Sequence, residues 1–176
     1  MLKRTTALAC TLAAAATVAA LPQAAESAPA RPAGPTKAQL AAVRHATERF
    51  RDVRVARRAG YKAEGSCTSS PNGAMGQHYM NERLASDGKI DAVRPEALLY
   101  ERRGGRWRLN GVEYFRPDAD GQLTTDDDRP SVLGLTFEGP MEGHSPGMPV
   151  HYDLHAWIWK SNPRGMFSQW NPRVHC

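Results

Sequence analysis

Three of the six histidines lie in one short stretch, Met141 to Trp159, which reads MEGHSPGMPVHYDLHAWIW. They are His144, His151 and His155. A fourth, His78, stands in a similar setting between Met75 and Met80. Neutral imidazole is the commonest side-chain ligand for zinc and copper, and thioether sulfur selects soft Cu(I). The interleaving of histidine and methionine therefore predicts a site for copper or zinc.

The predicted ligand set is centred on histidines drawn from both segments. It comprises His78, His151 and His155, then His144, with Glu101 or Glu113 completing the shell from a neighbouring strand. His144 is the outermost member because it lies in a Gly- and Pro-rich loop, and Asp153 is expected to support a liganding imidazole by hydrogen bonding. The predicted role is metal binding or a metal-assisted reaction, with the substrate unidentified.

The segment His151 to Trp159 is predicted to be a β-strand, because it is rich in aromatic and β-branched residues and follows Pro149. Alternation then puts His151, Asp153 and His155 on one face. Four residues at about 3.3 Å each separate the two histidines by roughly 13 Å along the strand. The two can share one metal only if the strand bends or if the segment is helical there; otherwise only one of them joins His78.

The sequence allows two other interpretations. The first is that the histidines are structural, since a single histidine is commonly a hydrogen-bonded structural residue. The second is a metal-free binding module, in which Trp157, Trp159, Glu101 and Glu113 form a sheet face for a small organic or sugar ligand. The metal content of the purified protein distinguishes the metal site from this module.

The element predicted to come first in the folded domain is one long helix from Thr36 to about Ala59. Thr36 and Gln39 have the spacing of a capping box, and Gly60 suits the position after a helix end. Apolar residues recur at three- and four-residue steps between these ends. They are Leu40, Val43, Thr47, Phe50 and Val53.

Short strands separated by turns are predicted for the rest of the chain. Residues 97–102 and 107–116 are expected to pair as a hairpin around Gly104-Gly105, and residues 131–137 to form another strand. Residues 67–76, rich in Ser, Thr and Gly, are interpreted as a loop. The predicted fold class is α+β, with one long N-terminal helix packed on a small antiparallel β-sheet.

Residues 1–30 have the pattern of a secretory signal peptide: a basic start, an Ala-rich apolar run, and Ala28-Pro29-Ala30 as a cleavage site. Residues 31–35 are then a flexible leader, and residues 36–176 one domain. The protein is expected to be secreted, with no membrane anchor after cleavage. Removing two bases and one acid lowers the formal charge from +5 to about +4, which argues against a nucleic-acid partner.

Two cysteines, Cys67 and Cys176, remain after the predicted cleavage. In an oxidising compartment two cysteines of one domain most often pair, so a disulfide is predicted between them. A free thiol or a thiolate metal ligand is the alternative.

Several short segments carry a family resemblance. They are Met75-Gly-Gln-His78-Tyr, Pro95-Glu-Ala-Leu-Leu-Tyr-Glu101, Gly111-Val-Glu-Tyr114 and Leu154-His-Ala-Trp-Ile-Trp159, with Trp170-Asn-Pro beyond them. This pattern resembles that of a set of exported bacterial proteins of unknown function. The resemblance implies no activity, so the chemistry is argued from the residues themselves.

Overall fold

The computed structural model describes residues 34–176, so the predicted signal peptide and most of the leader lie outside the described residues. Three α-helices are described, α1 (Lys37–Thr47), α2 (Val53–Arg58) and α3 (Glu82–Ala85), with a 3-10 helix at Glu48–Arg51. The strands are β1 (Lys62–Ser70), β2 (Gly73–Met80), β3 (Ala97–Arg103), β4 (Arg106–Pro117), β5 (Ser131–Val132), β6 (Leu135–Thr136), β7 (Glu138–Met141) and β8 (His151–Ala156).

Six of these strands form one curled antiparallel sheet in the order β1-β2-β3-β4-β8-β7. Strands β1 and β2 form one hairpin and strands β3 and β4 form another, each with a two-residue turn. Strand β2 also pairs with β3, so the two hairpins lie side by side in the sheet. Strand β8 then returns to pair with β4, setting Glu113 opposite His155. Strands β5 and β6 form a separate small hairpin.

The predicted fold class, with one long N-terminal helix packed on the sheet, is wrong. The chain between Lys37 and Arg58 is broken into α1, the 3-10 helix and α2, and Asp52 between the last two has extended backbone angles. The Asp52 side chain accepts a hydrogen bond from the Arg54 amide and so restarts a helix. The break also leaves the Phe50 carbonyl oxygen to accept a 2.6 Å hydrogen bond from the buried Tyr100 hydroxyl.

Three further local predictions differ from the structure. Residues 67–76 are not a loop: they contain the turn at residues 71–72 and parts of β1 and β2, because backbone pairing compensates for their weak strand composition. Residues 131–137 fold back on themselves, since Leu133 and Gly134 both have positive φ. Strand β8 ends at Ala156, beyond which the Trp159 and Lys160 amides both donate to the Asn110 carbonyl.

The two faces of the sheet have different partners. One face forms the main core with the N-terminal helices, through Val43, Phe50 and Ala56. Its buried strand residues include Tyr79, Leu98, Tyr100, Val112, Tyr114, Tyr152 and Leu154. The opposite face carries His78, Glu113 and His155, flanked by two smaller apolar clusters. Alternation along β2, β4 and β8 thus puts aromatic side chains on the face that packs against the helices and polar side chains on the opposite face.

The predicted disulfide between Cys67 and Cys176 is confirmed, with Cα atoms 5.4 Å apart and 109 residues of separation. It joins β1 to the C-terminal tail, which also pairs with the start of β2 through Ala74 and Asn171. Among the described residues, no helix has both the length and the apolar character needed to cross a membrane.

Candidate metal centre

The first candidate group combines side chains from three strands of the sheet. His78 lies on β2, Glu113 on β4 and His155 on β8. One ligand atom from each lies within 4.8 Å of the other two. All three residues are buried, with exposed fractions of 5%, 1% and 1%. The sheet therefore gathers two imidazoles and one carboxylate, well separated in sequence, at one protected point.

The Glu113 carboxylate is the centre of this group. Its Oε2 atom lies 3.0 Å from Nε2 of His78 and 3.9 Å from Nε2 of His155. Four ligands at about 2.1 Å from a tetrahedral metal stand roughly 3.4 Å from one another, which falls between the two distances. The two distances therefore bracket the ligand spacing of a tetrahedral site.

Unpaired polar atoms are concentrated at this place. Among the described residues, seven of the ten buried side-chain polar atoms that lack a hydrogen-bond partner belong to five residues here. The residues are His78, Glu113, His151, Asp153 and His155. The 3.0 Å contact between His78 and Glu113 is short enough for a charge-assisted hydrogen bond, whereas the contacts of Asp153 and His155 in this cluster are longer, at 3.5 to 3.9 Å. Buried polar groups are nearly always hydrogen-bonded, so this arrangement fits a cation better than a hydrogen-bonded core.

The charges of the group are balanced by histidines alone. Within the described residues neither Glu113 nor Asp153 lies within 4.0 Å of a lysine or arginine nitrogen. Burial acts to raise the pKa of Glu113, but His78 and His155 outweigh it and hold the pKa at about 2. Burial acts to lower the pKa of His155, but Asp153 and Glu113 outweigh it and raise the pKa to about 9. The carboxylates of Glu113 and Asp153 thus favour a positive charge in the space between them and the histidines.

A second candidate group consists of His144, His151 and Asp153, whose ligand atoms also lie within 4.8 Å of one another. His151 and Asp153 are fully buried on β8, whereas His144 is exposed on the loop between β7 and β8. The His144 and His151 rings meet edge to face, with centroids 5.2 Å apart. Partial desolvation and the neighbouring His151 lower the pKa of His144.

The predicted site residues are therefore distributed over three places. His78 joins His155, as expected for an unbent strand, and His151 joins His144 instead. Glu113 faces the first group, but Glu101 does not: its two oxygens bind Nζ of Lys160 at 2.6 and 2.7 Å. A register shift in the β3–β4 pairing, between Leu99 and Tyr100, separates Glu101 from Glu113.

The two tryptophans proposed for a ligand-binding face are not brought to one exposed surface. Trp157 is 2% exposed, packs with Leu99 and Val174, and donates its indole N–H to the Ser168 carbonyl. Trp159 lies on the other side of the sheet, where its indole N–H donates to Thr47 and the Arg44 guanidinium stacks on its ring. Both rings serve the packing of the domain.

The methionines mostly have their own packing partners. Met80 packs with Ala97 and Phe115, and Met75 is fully buried. The Met141 sulfur lies 3.5 Å from the Gln169 amide, and the Met148 sulfur 3.3 Å from the backbone N–H of His144. The candidate groups are therefore made of nitrogen and oxygen donors.

Two residues near the centre, Glu64 and Ser145, are not part of the predicted ligand set. Glu64 pairs with His78 across the β1–β2 ladder, so both side chains share a face. Its Oε1 atom accepts a 3.1 Å hydrogen bond from the Ser145 hydroxyl. A small cavity of about 10 Å³ touches Glu64, His78, His144 and Ser145, with room for about one water molecule. Only the pairing of β1, a segment with weak strand composition, reveals this neighbourhood.

Comparisons with family models, with curated proteins and with solved structures find no match. The resemblance to exported bacterial proteins stays a prediction.

Proposed function

We propose that this protein binds a divalent transition-metal ion, zinc or Cu(II), through His78, Glu113 and His155. The observation that carries the proposal is the cluster of buried, unpaired nitrogen and oxygen atoms around the Glu113 carboxylate. A cation at this point pairs with both imidazoles and with the carboxylate at once. It also supplies a positive charge for the buried Glu113 carboxylate, which has no lysine or arginine partner within the described residues.

The donor set supports this class of metal. Two imidazoles and one carboxylate suit zinc, Cu(II) and Fe(II), whereas Cu(I) prefers the thioether and thiolate sulfur that this group lacks. Three protein ligands leave a coordination position for water or a small substrate. The neighbouring Asp153 supports the set, since one of its oxygens lies 3.5 Å from Nδ1 of His155 and can orient that ring.

Export is part of the same proposal. The disulfide agrees with an oxidising compartment, and the predicted signal peptide accounts for how the chain reaches it. The protein is then a secreted, disulfide-stapled metal-binding domain. Intact-mass analysis of secreted material tests this point, with a chain beginning at Arg31 as the expected result.

Calorimetric titration with Zn²⁺ and with Cu²⁺ tests the metal site. The wild type should bind with a dissociation constant far below that of a single exposed histidine. His78→Ala and His155→Ala should each weaken the tight binding at least about 100-fold. His175→Ala removes an exposed histidine outside the cluster and serves as the matched control. Equal affinity in His78→Ala, His155→Ala and the control would refute the site.

A second candidate function is binding of a small organic anion. The observation that favours it is a cleft of about 740 Å³ on the helix side of the sheet, lined by Trp159, Lys160, four arginines and a smaller number of acidic residues, Glu48, Asp52 and Glu101. The arginines are Arg49, Arg51, Arg103 and Arg108. Titration with a dicarboxylate or a phosphorylated sugar, comparing wild type with Arg108→Ala, tests this alternative.

A further inference from the structure

His151 is oriented to offer one ring nitrogen to a ligand. Its Nδ1 atom lies 3.0 Å from the Pro149 carbonyl oxygen. Because a carbonyl only accepts, Nδ1 carries the proton, and the Nε2 lone pair of the neutral ring is left free. Nε2 is fully buried and has no hydrogen-bond partner among the described residues. This is the tautomer that metal-binding histidines use, with the second nitrogen fixed by a backbone acceptor.

The Asp153 carboxylate faces two histidines at once. Its Oδ2 atom lies 3.9 Å from Nε2 of His151, and its Oδ1 atom lies 3.5 Å from Nδ1 of His155. Both oxygens are buried without hydrogen-bond partners in the described part of the chain. One oxygen can therefore orient His155 in the first group while the other acts as a ligand beside His151.

His144 completes this second set from the surface side. It is exposed, and its loop is held by the hydrogen bond from Ser145 to Glu64 on β1. The small cavity beside it touches both His144 and the buried His78. The second group therefore has one ligand on a surface loop, and this ligand borders the same cavity as His78 of the first group.

We propose that His144, His151 and Asp153 hold a second divalent transition-metal ion, adjacent to the first and more readily exchanged. This inference deepens the proposed function and rests on it, because Asp153 contacts both groups. Exchange is faster at the second position since one of its three ligands is on an exposed loop. The ligands of the first position are all buried on strands. The protein then holds one retained ion and one exchangeable ion.

Metal stoichiometry tests the second position. The purified protein is loaded with Zn²⁺ and its bound zinc measured by elemental analysis, before and after brief dialysis against a weak chelator. The wild type should retain two ions per chain before dialysis and one after it. His144→Ala should retain one ion under both conditions, and because His144 is exposed this variant should unfold at the same temperature as the wild type. His175→Ala should behave as the wild type.

The Glu113→Gln variant distinguishes the first metal position from the second. In this variant the tightly held ion should be lost while the exchangeable one remains, so that zinc binds at one equivalent and is removed by the chelator. One ion per chain in the wild type, unchanged by His144→Ala, would overturn the second position and leave the proposed function standing. No bound zinc in the wild type would overturn both.

Discussion

The Nε2 atom of His78 and the Oε2 atom of Glu113 approach to 3.0 Å although strand β3 lies between their strands. The contact crosses β3 between Ala97, which pairs with Glu113, and Leu99, which pairs with His78. Alternation along the strands puts the side chains of these four residues on the same side of the sheet. The candidate metal centre thus lies on a face of the sheet rather than at one of its edges.

Replacing Glu113 by Gln should weaken the tight metal binding at least about 100-fold. The amide keeps the shape of the side chain but removes the negative charge that pairs with both imidazoles. Glu101→Gln is the matched control, since Glu101 is a buried glutamate of the neighbouring strand that binds Lys160 instead. Calorimetric titration measures both, and equal affinities would contradict the assignment.

Glu96 should make the protein less stable as the pH rises. Burial raises the pKa of this glutamate from 4.5 to about 8, and its Oε2 atom accepts a hydrogen bond from the Phe115 amide. Below pH 4.5 the carboxyl is protonated in both states. Between pH 4.5 and 8 the unfolded chain has lost the proton that the native state keeps, so the free energy of unfolding falls with rising pH.

The corresponding variant is Glu96→Gln. It should lose this part of the pH dependence, which is on the order of 2–5 kcal/mol between pH 5 and 8. Glu142→Gln, at an exposed position, should keep the wild-type profile. Urea unfolding at a series of pH values measures the difference. Parallel profiles for wild type and Glu96→Gln would show that Glu96 ionises normally in the native state.

Loss of the Cys67–Cys176 disulfide should lower the free energy of unfolding by about 2–5 kcal/mol. The bond closes a loop across 109 residues and attaches the C-terminal tail to β1. Thermal unfolding of the Cys67→Ser/Cys176→Ser double variant, compared with the wild type, measures this. A melting temperature equal to that of the wild type would mean that the tail is held by its other contacts, such as the Ala74–Asn171 pairing.

Tyr100→Phe should destabilise the protein by about 1–3 kcal/mol, because it leaves the Phe50 carbonyl without its buried donor. Tyr152→Phe is the control on the same face of the sheet, since the hydrogen bond from the Tyr152 hydroxyl to the Thr125 carbonyl is longer, at 3.4 Å. Chemical denaturation compares the two. Equal losses would indicate that the interrupted helix does not depend on this hydrogen bond.

Local patterns in the sequence predict the short-range features of this fold. Alternation along β8 puts His151, Asp153 and His155 on one side of a strand, and Gly104-Gly105 marks the turn between β3 and β4. The capping box of Thr36 and Gln39 forms as predicted. Each of these depends on neighbours within a few residues, where propensity and side-chain spacing act directly.

The features that were not predicted correctly depend on contacts between residues far apart in the sequence. The helix is interrupted where the Phe50 carbonyl meets Tyr100, fifty residues away in the chain. Strand β1 has weak strand composition and is formed by pairing with β2. The division of the histidines into two groups follows from the pairing of β4 with β8, which sets Glu113 opposite His155 and beyond reach of His151. No local pattern contains this information.

The proposed metal site is tested most directly by the position of the metal in crystals of the zinc-loaded protein, measured by anomalous scattering at the zinc absorption edge. A zinc ion held by this group should give a strong peak within about 2.0–2.2 Å of Nε2 of His78, Oε2 of Glu113 and Nε2 of His155. Peaks confined to exposed histidines such as His45 and His175, with none beside Glu113, would contradict it.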